Sequence, residues 1–260
     1  MPTHVYRFTA KSIPMKNIVL LSATLLLAVG CANAPPEDPL EPYNRAMFSF
    51  NEKLDSAVMK PVAKAYMKVT PELVRTWVGN FFGNLQDPWI GINNLAQGKP
   101  VDAMHDFARF VFNSTLGIGG LLDIASEAGL PKHDEDFGQT LGVWGVKEGP
   151  YVVLPFFGPN TLRDSSALPL DAMASSPWTL PPGNPVVHDS KVRYGLSGMK
   201  LVNTRARLLG AERILDESTF DKYRFMRDSY LQLRRFKVRD GNVPIEYDDF
   251  DSDENVDETP

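Results

Sequence analysis

Charge is distributed along this chain so unevenly that it restricts the fold more than any other feature. From Thr76 to Leu162 only 13 of 87 residues are Asp, Glu, Lys or Arg, against 31 of 98 from Arg163 to Pro260. Two stretches of the poor region, Phe110–Leu122 and Gly149–Leu162, carry no charge at all. A helix that is apolar around most of its surface is either core or faces lipid. Core is the ordinary outcome in a chain of 260 residues, yet these stretches are rich in Gly, Pro and Asn, which fill a core poorly. The pattern points to a body with some apolar surface left unburied.

The elements are read from spacing. Tyr43, Met47, Phe50, Leu54, Ala57 and Val58 recur at three and four, one helical stripe that Pro61 restarts or kinks. Thr70-Pro71-Glu72 is an N-cap with Pro at the first helical position, followed by a broad face of Leu73, Val74, Trp77, Val78, Phe81, Phe82 and Leu85. Asp87-Pro88 repeats the start signal, Gly98 offers a C-cap, and Lys99-Pro100 opens a helix through Met104, Phe107 and Val111. Val192–Leu215 and Phe220–Leu233 also read as helices. The β-branched run Tyr151–Leu154, closed by Pro155, is too isolated to make a sheet. The expectation is a mainly α fold with little or no sheet.

The ends are different in kind. Ile18–Val29 is an uncharged apolar run behind Lys16, the pattern of a secretory signal, so residues 1–30 read as a signal peptide with Met15 an alternative start. Twelve helical residues rise ~18 Å, short of the ~30 Å hydrocarbon core of a bilayer. The chain's single cysteine closes this run in Ala28-Val29-Gly30-Cys31, which resembles a bacterial lipobox, with Ala28 where Leu is most frequent. That resemblance implies acyl chains on Cys31; the alternative is an incidental cysteine beside an ordinary cleavage site. Asn33, rather than Asp, implies sorting to the outer membrane. Residues 31–42, with four prolines, read as a tether reaching ~34 Å if extended. Residues 43–240 form the body, and 241–260 an acidic, solvated and disordered tail.

Several chemistries lack their residues. No G-x-S-x-G elbow occurs, and Gly195-Leu196-Ser197-Gly198 fails its spacing. No Walker A or dinucleotide fingerprint is found. His105, His133 and His188 are scattered, and His133-Asp134-Glu135-Asp136 either binds a cation or, as such runs more often do, makes a solvated turn and helix start. Asp249-x-Asp251-x-Asp253 imitates an EF-hand opening, but Glu254 stands where glycine is required. Residues 31–239 carry 24 basic and 23 acidic side chains, which gives no support to nucleic-acid binding. No metal and no cofactor beyond acyl chains on Cys31 is expected. A lipid-active hydrolase and a non-transporting structural lipoprotein stay open as alternatives.

The blocks DPLEPYNRAMFSFN (38–51), NFFGNLQDP (80–88), NNLAQGK (93–99), RFVFNSTLGIGGLLDIASEAGL (109–130), EDFGQTLGVWGVKEGPYVVLPFFGPNTLRD (135–164) and RDSYLQLRR (227–235) resemble the MlaA (VacJ) family of phospholipid-trafficking outer-membrane lipoproteins. The resemblance covers residues 31 to about 240. It implies a ring-shaped helical monotopic body seated in the inner leaflet, with an amphipathic channel that takes phospholipid from the outer leaflet. It further implies association with a trimeric porin, transfer to a periplasmic lipid carrier of the Mla pathway, and no bond broken in the lipid. In that setting Asn80, Asn84, Asn93 and Asn94 either line a headgroup path or serve in capping and backbone hydrogen bonds. Gly117, Gly119 and Gly120 either gate the path or make a tight connection. Trp77, Trp89, Trp144 and Trp178 either mark the bilayer interface or pack internally.

Overall fold

The computed structural model describes residues 38–176, 189–218 and 221–242. The signal segment, Cys31, tether residues 32–37, Trp178, His188 and the tail from residue 243 lie outside the described residues.

The first stripe forms α1 (Glu41–Leu54), a π-helical turn (Asp55–Met59) and α2 (Lys60–Val69). Pro61 stands in the first turn of α2, so the chain stays helical and the α-helix restarts at the proline after the π turn. Proline has no N–H and crowds the carbonyl four residues back, and the widened turn before it absorbs both effects. α3 begins at Glu72 with Pro71 at its cap and no side-chain capping bond, so Thr70 is not the cap expected of it.

A second start signal also fails. α3 runs unbroken from Glu72 to Ala96, with Asp87-Pro88 inside it. Asp87 is fully buried there and held by a cation, and Lys132 also donates to the Gly83 carbonyl (3.1 Å) in the turn Pro88 loosens. A tertiary ion pair has claimed the aspartate that local reasoning assigns to a cap. Gly98 follows α3 with φ +81°, a left-handed position suited to glycine, and α4 (Pro100–Thr115) opens as expected.

α5 (Ile124–Glu127) and α6 (Phe137–Val143) are short and capped by Asp123 and Asp136, whose carboxylates accept from the Ser126 and Gln139 amides. Tyr151–Leu154 is not isolated: as β1 it pairs antiparallel with β2 (Gly158–Thr161), Tyr151 opposite Thr161 and Leu154 opposite Gly158. Periodicity cannot reveal β2, because Gly-Pro-Asn-Thr reads as a turn. α7 (Leu162–Ala174), α8 (Ser190–Ser218) and α9 (Lys222–Val238) complete the described order.

The hairpin is pinned by asparagines of α1. Asn44 is fully buried; its amide donates to the Tyr151 carbonyl (3.0 Å) and Asp38 (2.9 Å), and its Oδ1 accepts from the Val153 amide (2.8 Å). Asn51 donates to the Leu154 carbonyl and accepts from the Phe156 amide, both at 2.9 Å. Around Tyr151, Val153 and Tyr223, with Met47, Phe48, Tyr230 and Leu231, the hairpin, α1 and α9 share a small apolar core. α3 packs along α4, α2 along α8, and α6 along α7. No described helix is long and apolar enough to cross a membrane.

Candidate lipid-handling surface

The interior of this protein is polar. Among the described residues, buried polar and charged side chains outnumber buried apolar ones, and the fully buried set includes Arg109, Gln139, Asn44, Asn93, Asn94, Asp87 and Asp106. α4 expresses the reversal on one element. Ala103, Asp106, Arg109 and Asn113 face inward, while Val101, Met104 and Val111 are 61%, 68% and 56% exposed on the opposite side. Helices in water bury their apolar face. Leu116, Ile118, Trp144, Phe156, Phe157 and Leu162 extend the exposed apolar surface.

Two networks pair most of the inward charges, though Asp87 Oδ2 and Arg109 Nε are buried without a hydrogen bond among the described residues. In the first, Arg109 donates to both Asp123 oxygens (2.8 and 3.0 Å), to Ser126 Oγ (3.0 Å) and to the Leu130 carbonyl (2.7 Å). Burial pushes the Asp123 carboxyl up, but bonds from Ser126, Asn113 and Arg109 outweigh it and hold it at about 2. Asp87, paired with Lys132 and 3.8 Å from Arg109 Nε, is raised by burial despite both cations.

The second network joins three separate sequence blocks. Arg234 bridges Asp136 (2.5 and 2.9 Å) and Asp164 (2.9 Å to each oxygen), and Tyr230 donates to Asp164 (2.9 Å). Burial opposes both carboxylates' charge, but Arg234 holds each below the usual range. Gly138 makes room: a Cβ there would lie 2.7 Å from Asp164 Oδ1 and 2.9 Å from Arg234 Nη2.

The asparagines singled out from sequence sit along α3. Asn80 donates to the Leu121 carbonyl (3.1 Å), Asn84 to Ser114 Oγ (2.9 Å) and Asn94 to Asp106 (2.7 Å). Asn93 donates to the Trp89 carbonyl (2.9 Å) and accepts from Thr140 (2.8 Å). Asn84, Asn93 and Asn94 are buried between helices, and Asn80 and Asn84 anchor the glycine loop. Within that loop Gly119 (φ +67°) faces open space, whereas a Cβ on Gly120 (φ +89°) would meet the Asn84 side chain at 2.5 Å. Gly117 is enclosed too, its Cβ position 2.3 Å from the Leu122 carbonyl.

Two residues escape a reading of sequence alone. Ile118 (φ 54°) and Phe156 (φ 67°) take left-handed backbone that costs bulky side chains energy, and they are 67% and 72% exposed at two loop tips. The sequence signal is slight: Ile118 stands between two glycines, and Phe156 lies two residues before Gly158. Trp89 is turned inward and donates to Asp171 (2.8 Å), while Trp144 is mostly exposed and donates to the Ala96 carbonyl (3.0 Å). Of His105, His133 and His188, the first two meet in space: their rings stack with centroids 6.2 Å apart.

A cavity of about 630 Å³ opens elsewhere, between α1, the hairpin, α8 and α9. Phe48, Val153, Leu208 and Phe225 give it apolar walls, and Lys53, Lys60, Arg205 and Lys222 are its cations. Arg205 is held by both oxygens of Asp55 (2.6 Å each).

A mainly helical protein with a largely polar interior, exposed apolar side chains and no described spanning helix is the class these features define. The family model described as MlaA lipoprotein matches residues 36–237. The chain belongs to the MlaA lipoprotein family. It is 37% identical over 237 residues to the intermembrane phospholipid transport system lipoprotein MlaA of Escherichia coli, covering 86% of this chain and 88% of that one. The Haemophilus influenzae protein of the same description is 33% identical over 241 residues, 88% of this chain and 94% of the other. A solved structure, from work on the structural basis for maintenance of bacterial outer membrane lipid asymmetry, superposes with a TM-score of 0.66. It is 35% identical and is matched over 77% of this chain and 98% of its own.

Proposed function

We propose that this chain is an outer-membrane lipoprotein that removes mislocalised phospholipid from the outer leaflet and passes it to a periplasmic carrier of the Mla pathway, so maintaining lipid asymmetry. It moves the lipid without breaking a bond in it. The acylated Cys31 and the outward apolar face of α4 seat the body in the inner leaflet, beside a trimeric porin. The reversed polarity of α4 carries this reading. Val101, Met104 and Val111 gain nothing from water, and an exposed apolar surface of that extent marks a protein or membrane contact. The apolar walls of the cavity suit acyl chains in kind, and its polar lining mixes Lys53, Lys60 and Lys222 with Glu52 and Asp55.

Flotation with vesicles of phosphatidylethanolamine and phosphatidylglycerol tests the seating. The chain from residue 32 onward, which has neither the acylated cysteine nor the apolar signal run, floats with the vesicles, and adding Met104→Asp and Val111→Asp abolishes flotation. Equal flotation of both proteins would remove the α4 face as the lipid contact.

A further inference from the structure

A second constellation lies where the amino end of α4 meets the loop before α6. Asp102 and His105 stand three residues apart on α4, so they share one face of the helix. His133, from the loop, stacks its ring on that of His105, centroids 6.2 Å apart. One potential ligand atom from each of Asp102, His105 and His133 lies within 4.8 Å of the other two. His133 Nε2 is already 3.6 Å from Asp102 Oδ1. Ligand atoms ~2.0–2.1 Å from a tetrahedral zinc stand roughly 3.4 Å apart, so closure needs side-chain adjustments of about an ångström.

The surroundings are those of a metal ligand set. His133 Nδ1 lies 2.9 Å from Asp106 Oδ1. An ionised carboxylate only accepts, so Nδ1 donates to Asp106 and Nε2 is the nitrogen left to ligate an ion. Asp106 is fully buried and is itself fixed by Asn94, whose amide donates to its other oxygen at 2.7 Å. A carboxylate that orients a histidine in this way sets its tautomer and raises its basicity as a ligand. The Nδ1 of His105 is buried with no hydrogen-bond partner among the described residues, a polar atom whose need nothing else there meets. Asp102 is partly exposed, which leaves an entry path and a position open to water.

We propose that Asp102, His105 and His133 bind one divalent transition-metal ion of the zinc class, with Asp106 and Asn94 positioning His133. Two imidazoles and one carboxylate favour zinc over calcium or magnesium, which prefer all-oxygen shells. Bound there, the ion clasps α4 to the loop whose Lys132 reaches Asp87 of α3, and so ties α4, the loop and α3 together.

The test uses the full-length protein with its affinity tag removed, since a polyhistidine tag binds the same ions, and with Cys31 retained in every variant. Cobalt(II) serves as the probe because its visible absorption reports imidazole and carboxylate ligation at low coordination number, and zinc(II) then competes for the site. One equivalent of cobalt is bound with such a spectrum and displaced by zinc; His133→Gln and His105→Gln each lose it. Asp106→Asn keeps every ligand and weakens zinc about 10- to 100-fold. Far-UV circular dichroism confirms that each variant is folded. Should Asp106→Asn unfold, His105→Gln at its partly exposed site still decides the matter. Cobalt binding that is absent, or equal in wild type and both histidine variants, overturns the proposal and leaves a plain histidine–aspartate pair.

Discussion

Replacing Gly120 by alanine separates a packed loop from an open one, because its neighbour Gly119 offers the matched control. Both glycines have positive φ, +89° and +67°, where an L side chain costs about 1–2 kcal/mol. Only Gly120 is also crowded: its new methyl would stand 2.5 Å from Asn84 Nδ2 and 2.9 Å from Asn84 Cβ and Cγ. Asn84 is buried and bonded to Ser114, so it has little freedom to withdraw, and overpacking of this kind costs about 1–3 kcal/mol more. Gly120→Ala is therefore destabilised by about 2–5 kcal/mol and Gly119→Ala by about 1–2 kcal/mol. For a body of this size that places the melting temperature of Gly120→Ala on the order of 10 °C below wild type, and that of Gly119→Ala about 2–8 °C below. Thermal unfolding in a mild detergent, followed by circular dichroism, reads both. Equal losses in the two variants would refute the packing argument. Because Gly119→Ala adds no clash, it is also the cleaner probe of a gate: a gating role predicts outer-leaflet phospholipid accumulation in cells carrying it, and wild-type lipid content would dismiss one.

Arg109→Leu strands Asp87 and Asp123 beside a group that can no longer pair with them, and it lowers stability by about 3–5 kcal/mol, read as the urea midpoint; a loss under 1 kcal/mol would show the network to be dispensable. Acid acts through the lowered carboxylates. Asp123, Asp136 and Asp164 contribute stability that is complete above the unfolded value of about 3.9 and fades as pH falls through their folded values, about 2 for Asp123. Asp87 and Asp171 are raised by burial and act with the opposite sign, since protonation relieves them. The protein accordingly loses stability between about pH 4 and pH 2, and Asp136→Asn, less stable at neutral pH, loses less across that window. An unchanged slope in that variant would contradict the assignment.

Most of the helical plan was legible because it rests on local signals: the stripe from Tyr43, Pro100 opening α4, and Gly98 ending α3 all appear where spacing and capping chemistry place them. Misreadings arise where a distant partner outranks the local rule. Asp87 resembles a helix cap until Lys132 and Arg109 are brought to it, and Gly158–Thr161 resembles a turn until Tyr151–Leu154 lies alongside. The charge-poor middle did forecast an unburied apolar surface. It could not forecast that three of its 13 charges, Asp87, Asp106 and Arg109, are buried, because a sequence shows which residues are charged and not which way they face. The histidine pair was invisible for the same reason: 28 positions separate His105 from His133, and only the packing of the loop on α4 closes them.

The central claim is that this protein clears phospholipid from the outer leaflet and needs its lipid anchor to do so. Its most direct measurement is the outer-leaflet phospholipid content of a deletion strain, complemented with the wild-type chain or with Cys31→Ala. Accumulation on deletion, reversed by wild type and not by Cys31→Ala, is the predicted result. Lipid content unchanged by deletion, or restored equally by the unacylated chain, would contradict it.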